Sequence, residues 1–145
     1  MTVRDLDRIA VLSGPGSFTG LRAGTAFARG LARALEIPLL AIPTFLAASH
    51  AVSLPDDVDF LLEAGRGEVH RARRRAGRLG DVSLVARDQA EAESVRAGIA
   101  LCALSTLSLA PALAELAVSG TAENSDLPFP LLYGRPSAAE KRFGR

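Results

Sequence analysis

The segment from Gly14 to Thr25 reads Gly-Pro-Gly-Ser-Phe-Thr-Gly-Leu-Arg-Ala-Gly-Thr, and it gathers the residues best suited to chemistry in this chain. Glycine and proline take backbone angles that close a tight turn. Ser17 or Thr19 can cap the open N–H groups of a following helix. Such a turn does one of two things. It can cradle an anion at a helix N-terminus, here through Gly14, Gly16, Ser17 and Thr19. It can also let a helix lie very close to a neighbour. The phosphate loop G-x-x-x-x-G-K-[ST] is absent, since the first lysine is Lys141. The spacing of Gly14, Gly16 and Gly20 is one residue too wide for a dinucleotide fingerprint.

Other reactive residue types are sparse. His50 and His70 are the only histidines and stand apart, so no H-x-x-x-H or H-E-x-x-H pair exists. Cys102 is the single cysteine, set in the apolar run Ile99 to Leu104, and reads as a small core residue in a reducing compartment. Ser17 lies in P-G-S-F-T, which is not the G-x-S-x-G elbow. No metal site, cofactor or catalytic residue is expected. Asp56, Asp57 and Asp59 flank a proline loop and read as solvated turn makers. Arg71, Arg73, Arg74, Arg75 and Arg78 crowd one segment without interleaved aromatics, and read as a solvated hairpin tip.

These residues need elements to hold them. Arg8–Leu12 reads as a buried strand and Thr19–Glu36 as the main helix, ended ahead of Ile37-Pro38. On that helix Gly20, Gly24 and Ala28 recur every four residues as a small-residue ridge. Leu21, Phe27 and Leu31 run beside it, with Arg22 at its rim. Leu39–Ile42 follows as a strand and Thr44–Val52 as a helix capped by Thr44. Asp59–Glu63 and Glu68–Arg75 form a hairpin about Gly65-Arg66-Gly67, and Asp81–Ala86 adds a third strand. A helix over Gln89–Ala97, a strand over Ile99–Leu104 and a helix over Leu107–Val118 complete the order. From 122 onward the chain turns polar and proline-rich and reads as an extended or flexible tail. The alternation predicts an α/β class with a mixed sheet.

Seventeen basic and sixteen acidic residues leave a net charge of +1, which gives no global pull on nucleic acid. The chain has 145 residues, 48% hydrophobic, enough for one domain and an appendage. No apolar run reaches the ~18 residues that span a bilayer, and no apolar segment follows Met1 as in a secretory leader.

The block Gly14 to Ala32, followed by Leu35 to Thr44, closely resembles the TsaB family. TsaB is the non-catalytic dimerisation subunit of the bacterial tRNA threonylcarbamoyladenosine machinery. Glu63-Ala64-Gly65-Arg66-Gly67-Glu68-Val69-His70 is similar to the family's D-A-R-x-G-E-V-Y. It departs at Glu63, Gly65 and His70. Leu132 to Pro136 loosely echoes a late P-x-Y-x-R segment.

The resemblance implies an actin-like ATPase, ribonuclease-H-like fold that starts without the family's first strands. Residues 1–52 would be the remainder of an N-terminal lobe, 53–121 a reduced C-terminal lobe and 122–145 a tail. An open sheet edge and a tendency to associate are then expected.

The implied function is a cytoplasmic scaffold that pairs with a TsaD-like catalytic subunit, with a TsaE-like ATPase docked nearby. The same helix face can pair the chain with itself, and tRNA is met only indirectly. The interface residues would be Gly20, Leu21, Arg22, Gly24, Phe27, Ala28 and Leu31. Two alternatives stand beside this reading. One is a nucleotide- or phosphate-binding enzyme of the same superfamily using the Ser13–Gly20 turn. The other is a truncated remnant without function.

Overall fold

Ile9-Ala10-Val11-Leu12 is a run of apolar residues at the right length for a strand buried on both faces. In the computed structural model, which describes residues 2–53, 55–120 and the backbone of 123–124, it forms β1 (Ile9–Gly14). The resemblance at Leu132 to Pro136 and the expected tail fall outside the described residues, apart from that two-residue backbone segment. β1 lies parallel to β2 (Leu39–Pro43), with Ile9 opposite Leu39 and Leu12 opposite Ile42. The helix α1 (Phe18–Leu35) makes the crossover. β8 (Glu123–Asn124) adds antiparallel to β2 and completes a three-stranded mixed sheet.

Alternate residues of a strand point to opposite faces, and here each face has its own cover. Ile9 and Val11 pack with Ala28 and Ala32 of α1 and with Leu39. Ala10 and Leu12 pack on the other side with Ile42, with Ala47 of α2 (Thr44–Ala51) and with Leu116 of α4 (Ala110–Val118). Helix α1 starts where Ser17 Oγ accepts a hydrogen bond from Gly20 N at 3.3 Å. It ends at Glu36, which takes left-handed angles (φ 55°) while its N–H reaches back to the last turn. The proline two residues on follows a helix already closed. Thr44 is the first residue of α2, and Pro43 occupies the cap position; the expected Thr44 cap is not made.

The second sheet is built on the expected hairpin. β3 (Val58–Gly65) and β4 (Glu68–Arg75) pair antiparallel about Arg66, whose φ of 59° is tolerated in a tight turn between two glycines. β5 (Arg78–Leu79) and β6 (Ser83–Ala86) both pair with β4, and β7 (Ala100–Ala103) lies parallel to β3. The order is β5-β4-β3-β7, with β6 beside β4. Between β6 and β7 the chain forms α3 (Arg87–Arg96), whose Ala90 packs on Leu61 and Val69. Mixed pairing therefore holds in both sheets, while the strands divide between two sheets.

Helix α2 is the seam between the two sheets. Ala47 faces Ile42 and Leu116, while Phe45 and Ala48 join Val58, Phe60, Ala72, Cys102 and Leu104. Phe45, Phe60 and Val58 are almost wholly enclosed. Cys102 is a buried, free thiol, as its apolar setting predicted, and burial raises its pKa. No described helix is long and apolar enough to cross a membrane.

Candidate functional site

The glycine-rich turn sits at the mouth of a cleft of about 440 Å³. Gly14 is buried and holds φ at 107°, a conformation costly for any side chain, and leads into Pro15. Gly16, Ser17, Gly20 and Leu21 line one wall with Val11 and Leu12 of β1. Leu62, Leu104, Leu109 and Leu113 line the other. The lining is apolar apart from the hydroxyls of Ser17, Thr44 and Ser105, and it carries no charged residue. Thr44 is buried, and its Oγ1 has no hydrogen-bond partner. Thr19 lies outside the cleft, exposed on the first turn of α1. Of the four residues expected to hold an anion, Gly16 and Ser17 meet in the cleft. Ser17 Oγ also accepts the hydrogen bond that caps α1.

The expected ridge on α1 divides into two rows. Leu21, Thr25, Ala28 and Ala32 are buried against this chain's own sheet. A step of four residues overshoots a full turn by about 40°, so Ala28 rotates away from Gly20 and into the core. Gly20, Gly24 and Phe27 face outward, with Leu31 half-buried. Phe27 is 74% exposed and Phe18 48% exposed. No atom comes within 4 Å of where a Cβ at Gly24 would stand. Arg22 lays its guanidinium 4.9 Å from the Phe18 ring centre, a cation–π contact on the opposite flank of the helix from Gly20 and Phe27. Exposed aromatics beside bare glycine backbone make a surface that a flat, closely approaching neighbour can cover.

The arginine run corrects the sequence reading. Arg73 binds Asp59 with both arms of its guanidinium, Nε to Oδ1 at 2.6 Å and Nη2 to Oδ2 at 2.5 Å. Arg71 pairs with Glu93 of α3 at 2.6 Å. Arg74 points to the opposite face and is buried, donating to Ser49 O at 2.8 Å and Pro55 O at 3.1 Å, 5.6 Å from the centre of the Phe60 ring. Only Arg75 and Arg78 fit the expected solvated tip; both are exposed.

Asp59 is likewise no turn maker. It is fully buried in β3, and Ser94 Oγ of α3 lies 2.5 Å from Oδ2. Burial pushes its pKa up, but the hydrogen bonds from Arg73 and Ser94 outweigh it and hold the carboxyl below the usual aspartate value. An acid between the buried apolar residues Val58 and Phe60 was the available signal. Its partners, 14 and 35 residues away, were not legible.

His50 ends α2 and bonds Glu115 of α4 at 2.9 Å. His70 is buried in β4, and burial lowers its pKa. Among the described residues no group of three histidine, cysteine or acidic side chains is arranged to hold a metal.

Two mixed α/β units, with the long helix crossing over between parallel strands, fit the actin-like, ribonuclease-H-like class to which the family match and the solved-structure likeness point. The model of the TsaD family, tRNA N6-adenosine threonylcarbamoyltransferase, matches residues 1–136, and the chain belongs to that family. Within it the chain is TsaB-like. It is 35% identical over 71 residues to the tRNA threonylcarbamoyladenosine biosynthesis protein TsaB of Bacillus subtilis, covering 48% of this chain and 31% of that one. It is 32% identical over 74 residues to the protein of the same name from Escherichia coli, covering 49% of this chain and 32% of that one. The match thus spans about a third of each relative's length. The solved structure of YeaZ from Pseudomonas aeruginosa superposes with a TM-score of 0.63 at 22% identity, covering 89% of this chain and 75% of that one.

Proposed function

We propose that the chain is a non-catalytic scaffold subunit in tRNA threonylcarbamoyladenosine biosynthesis. It pairs through the outer row of α1 with a TsaD-like catalytic subunit that modifies the adenosine beside the tRNA anticodon. A TsaE-like ATPase is the further partner that the same family likeness suggests. The observation that carries this reading is the exposed row of Gly20, Gly24 and Phe27 on the helix where the family likeness is strongest. The alternative of a phosphate-binding turn has less support. The cleft at the turn is lined by no charged residue to offset a phosphate.

Gly24→Leu tests the proposal. The site is open in the free chain, so leucine fits there and helix propensity favours it by up to about 1 kcal/mol. Against a partner at close range it is an obstruction. Calorimetric titration with the catalytic subunit should show binding weakened by more than about 1 kcal/mol, while the melting temperature holds or rises. Unchanged affinity would remove α1 from the interface.

A further inference from the structure

Arg71, Arg73 and Arg75 alternate along one face of β4, the face on which Arg71 meets Glu93 of α3. Arg78 of β5 stands directly opposite Arg75 and shares that face. The two strands join through Ala76 and Gly77, whose φ angles of 46° and 74° are both positive, as a two-residue hairpin turn of type I′ requires. Asp57 Oδ1 accepts from Ala76 N at 3.1 Å and Gly80 N donates to Arg73 O at 2.8 Å, so the tip is fastened on both sides. Like charges directly opposite one another destabilise a strand pair. One charge is enough to keep an edge strand from pairing, and here two exposed cations stand face to face. The nearby acids are engaged elsewhere: Asp59 with Arg73, Glu93 with Arg71 and Asp57 with the turn amide. Neither Arg75 nor Arg78 makes an ion pair among the described residues, with Asp81 or any other acid. A depression of about 460 Å³ lies at this tip, lined by Arg73, Arg75, Arg78, Leu79 and Gly80.

We propose that this tip is a phosphate-binding surface that contacts the backbone of RNA directly. A phosphate seated between Arg75 and Arg78 turns their mutual repulsion into two attractions, and the guanidinium fork suits its paired oxygens. The fastened turn holds the two cations in place before binding, which lowers the cost of ordering them. Residues two apart on a strand stand ~6.5 Å from one another, so Arg73 and Arg75 offer charge along a line rather than at one point. Arg73 binds Asp59 through Nε and Nη2, and its Nη1 makes no hydrogen bond among the described residues. No aromatic residue lines the depression, so bases find no stacking platform and the contact reads the backbone without sequence preference. A net charge of +1 makes this a local contact rather than a pull by the whole molecule. The choice of RNA over an acidic protein rests on the tRNA role proposed above. That reading leaves tRNA to the catalytic subunit, and the tip adds a direct contact from this chain.

The experiment is fluorescence anisotropy of a labelled, unmodified tRNA transcript titrated with the whole chain over a range of salt concentrations. The native sequence is compared with the double variant Arg75→Gln/Arg78→Gln and with Gly24→Leu. The native chain should bind, and more weakly as salt rises. The double variant should bind roughly tenfold more weakly at low salt, and its log–log salt slope should be shallower by about 2. A single-stranded RNA of unrelated sequence should show the same change. Gly24→Leu should bind RNA as the native chain does, so failure of this contact and failure of the pairing with a catalytic subunit are read separately. The melting temperature of the double variant should hold or rise, because the opposed charges are gone. A native chain that does not bind RNA at low salt overturns the proposal, as does a double variant with native affinity and slope. Displacement of the RNA by inorganic phosphate at constant ionic strength overturns it in favour of a free-phosphate site. A double variant that keeps RNA but loses the catalytic subunit makes the tip a protein contact instead. A lowered melting temperature in that variant means that the arginines serve the fold, and the proposal falls.

Discussion

Asp59 is fully enclosed, and it stays charged because Arg73 and Ser94 supply hydrogen bonds that water would otherwise give. Asp59→Asn keeps the shape but leaves Arg73 facing a neutral amide. Chemical denaturation should show a loss of about 3 kcal/mol, with Ser94→Ala losing about 1–2. Acid should act on the same group. The carboxyl's folded pKa lies below its unfolded value of about 3.9, so its contribution is complete above that pH and fades below it. Buried His70 acts in the same direction from a higher pH. Burial depresses its pKa, so the unfolded chain takes up the proton first and stability declines as pH falls below about 6.5. Melting temperature against pH should therefore fall in two stages, and Asp59→Asn should remove the lower one. A profile flat between about pH 6.5 and 4 would contradict the burial of His70, and one that stays flat below about pH 3.9 would contradict the pairing of Asp59.

The elements were largely legible because their signals are local. Ser17 before an Ala/Leu/Arg segment, glycines flanking Arg66, and Pro43 ahead of α2 each act within a few residues. Ser17→Ala should cost about 1 kcal/mol in a thermal melt, since Gly20 N loses its cap. A gain in stability would mean that the helix starts elsewhere. What escaped the sequence depends on distant partners. The role of Arg74 is set by the carbonyls of Ser49 and Pro55, and that of Arg71 by Glu93 on α3. The split of the α1 row was also hidden. Spacing alone places Gly20, Gly24 and Ala28 nearly in line, and only the position of the sheet decides that Ala28 turns inward. Thr44 shows the same limit: its hydroxyl suits a cap, yet in the fold it lines the cleft without a hydrogen-bond partner.

Across the whole molecule, α2 packs on both sheets, with Ala47 in one apolar cluster and Phe45 and Ala48 in another, and the exposed Phe27 stands on α1. The outer row of α1 begins at the glycine-rich turn that lines the cleft. The role proposed for the chain is association with a catalytic relative. Its most direct test is the mass, by size exclusion with light scattering, of the chain mixed with a TsaD-like catalytic subunit from the same organism. The expected result is a complex containing both chains in equal number, weakened by Gly24→Leu. Separate elution of two folded proteins, with no shared peak at any ratio, would contradict it.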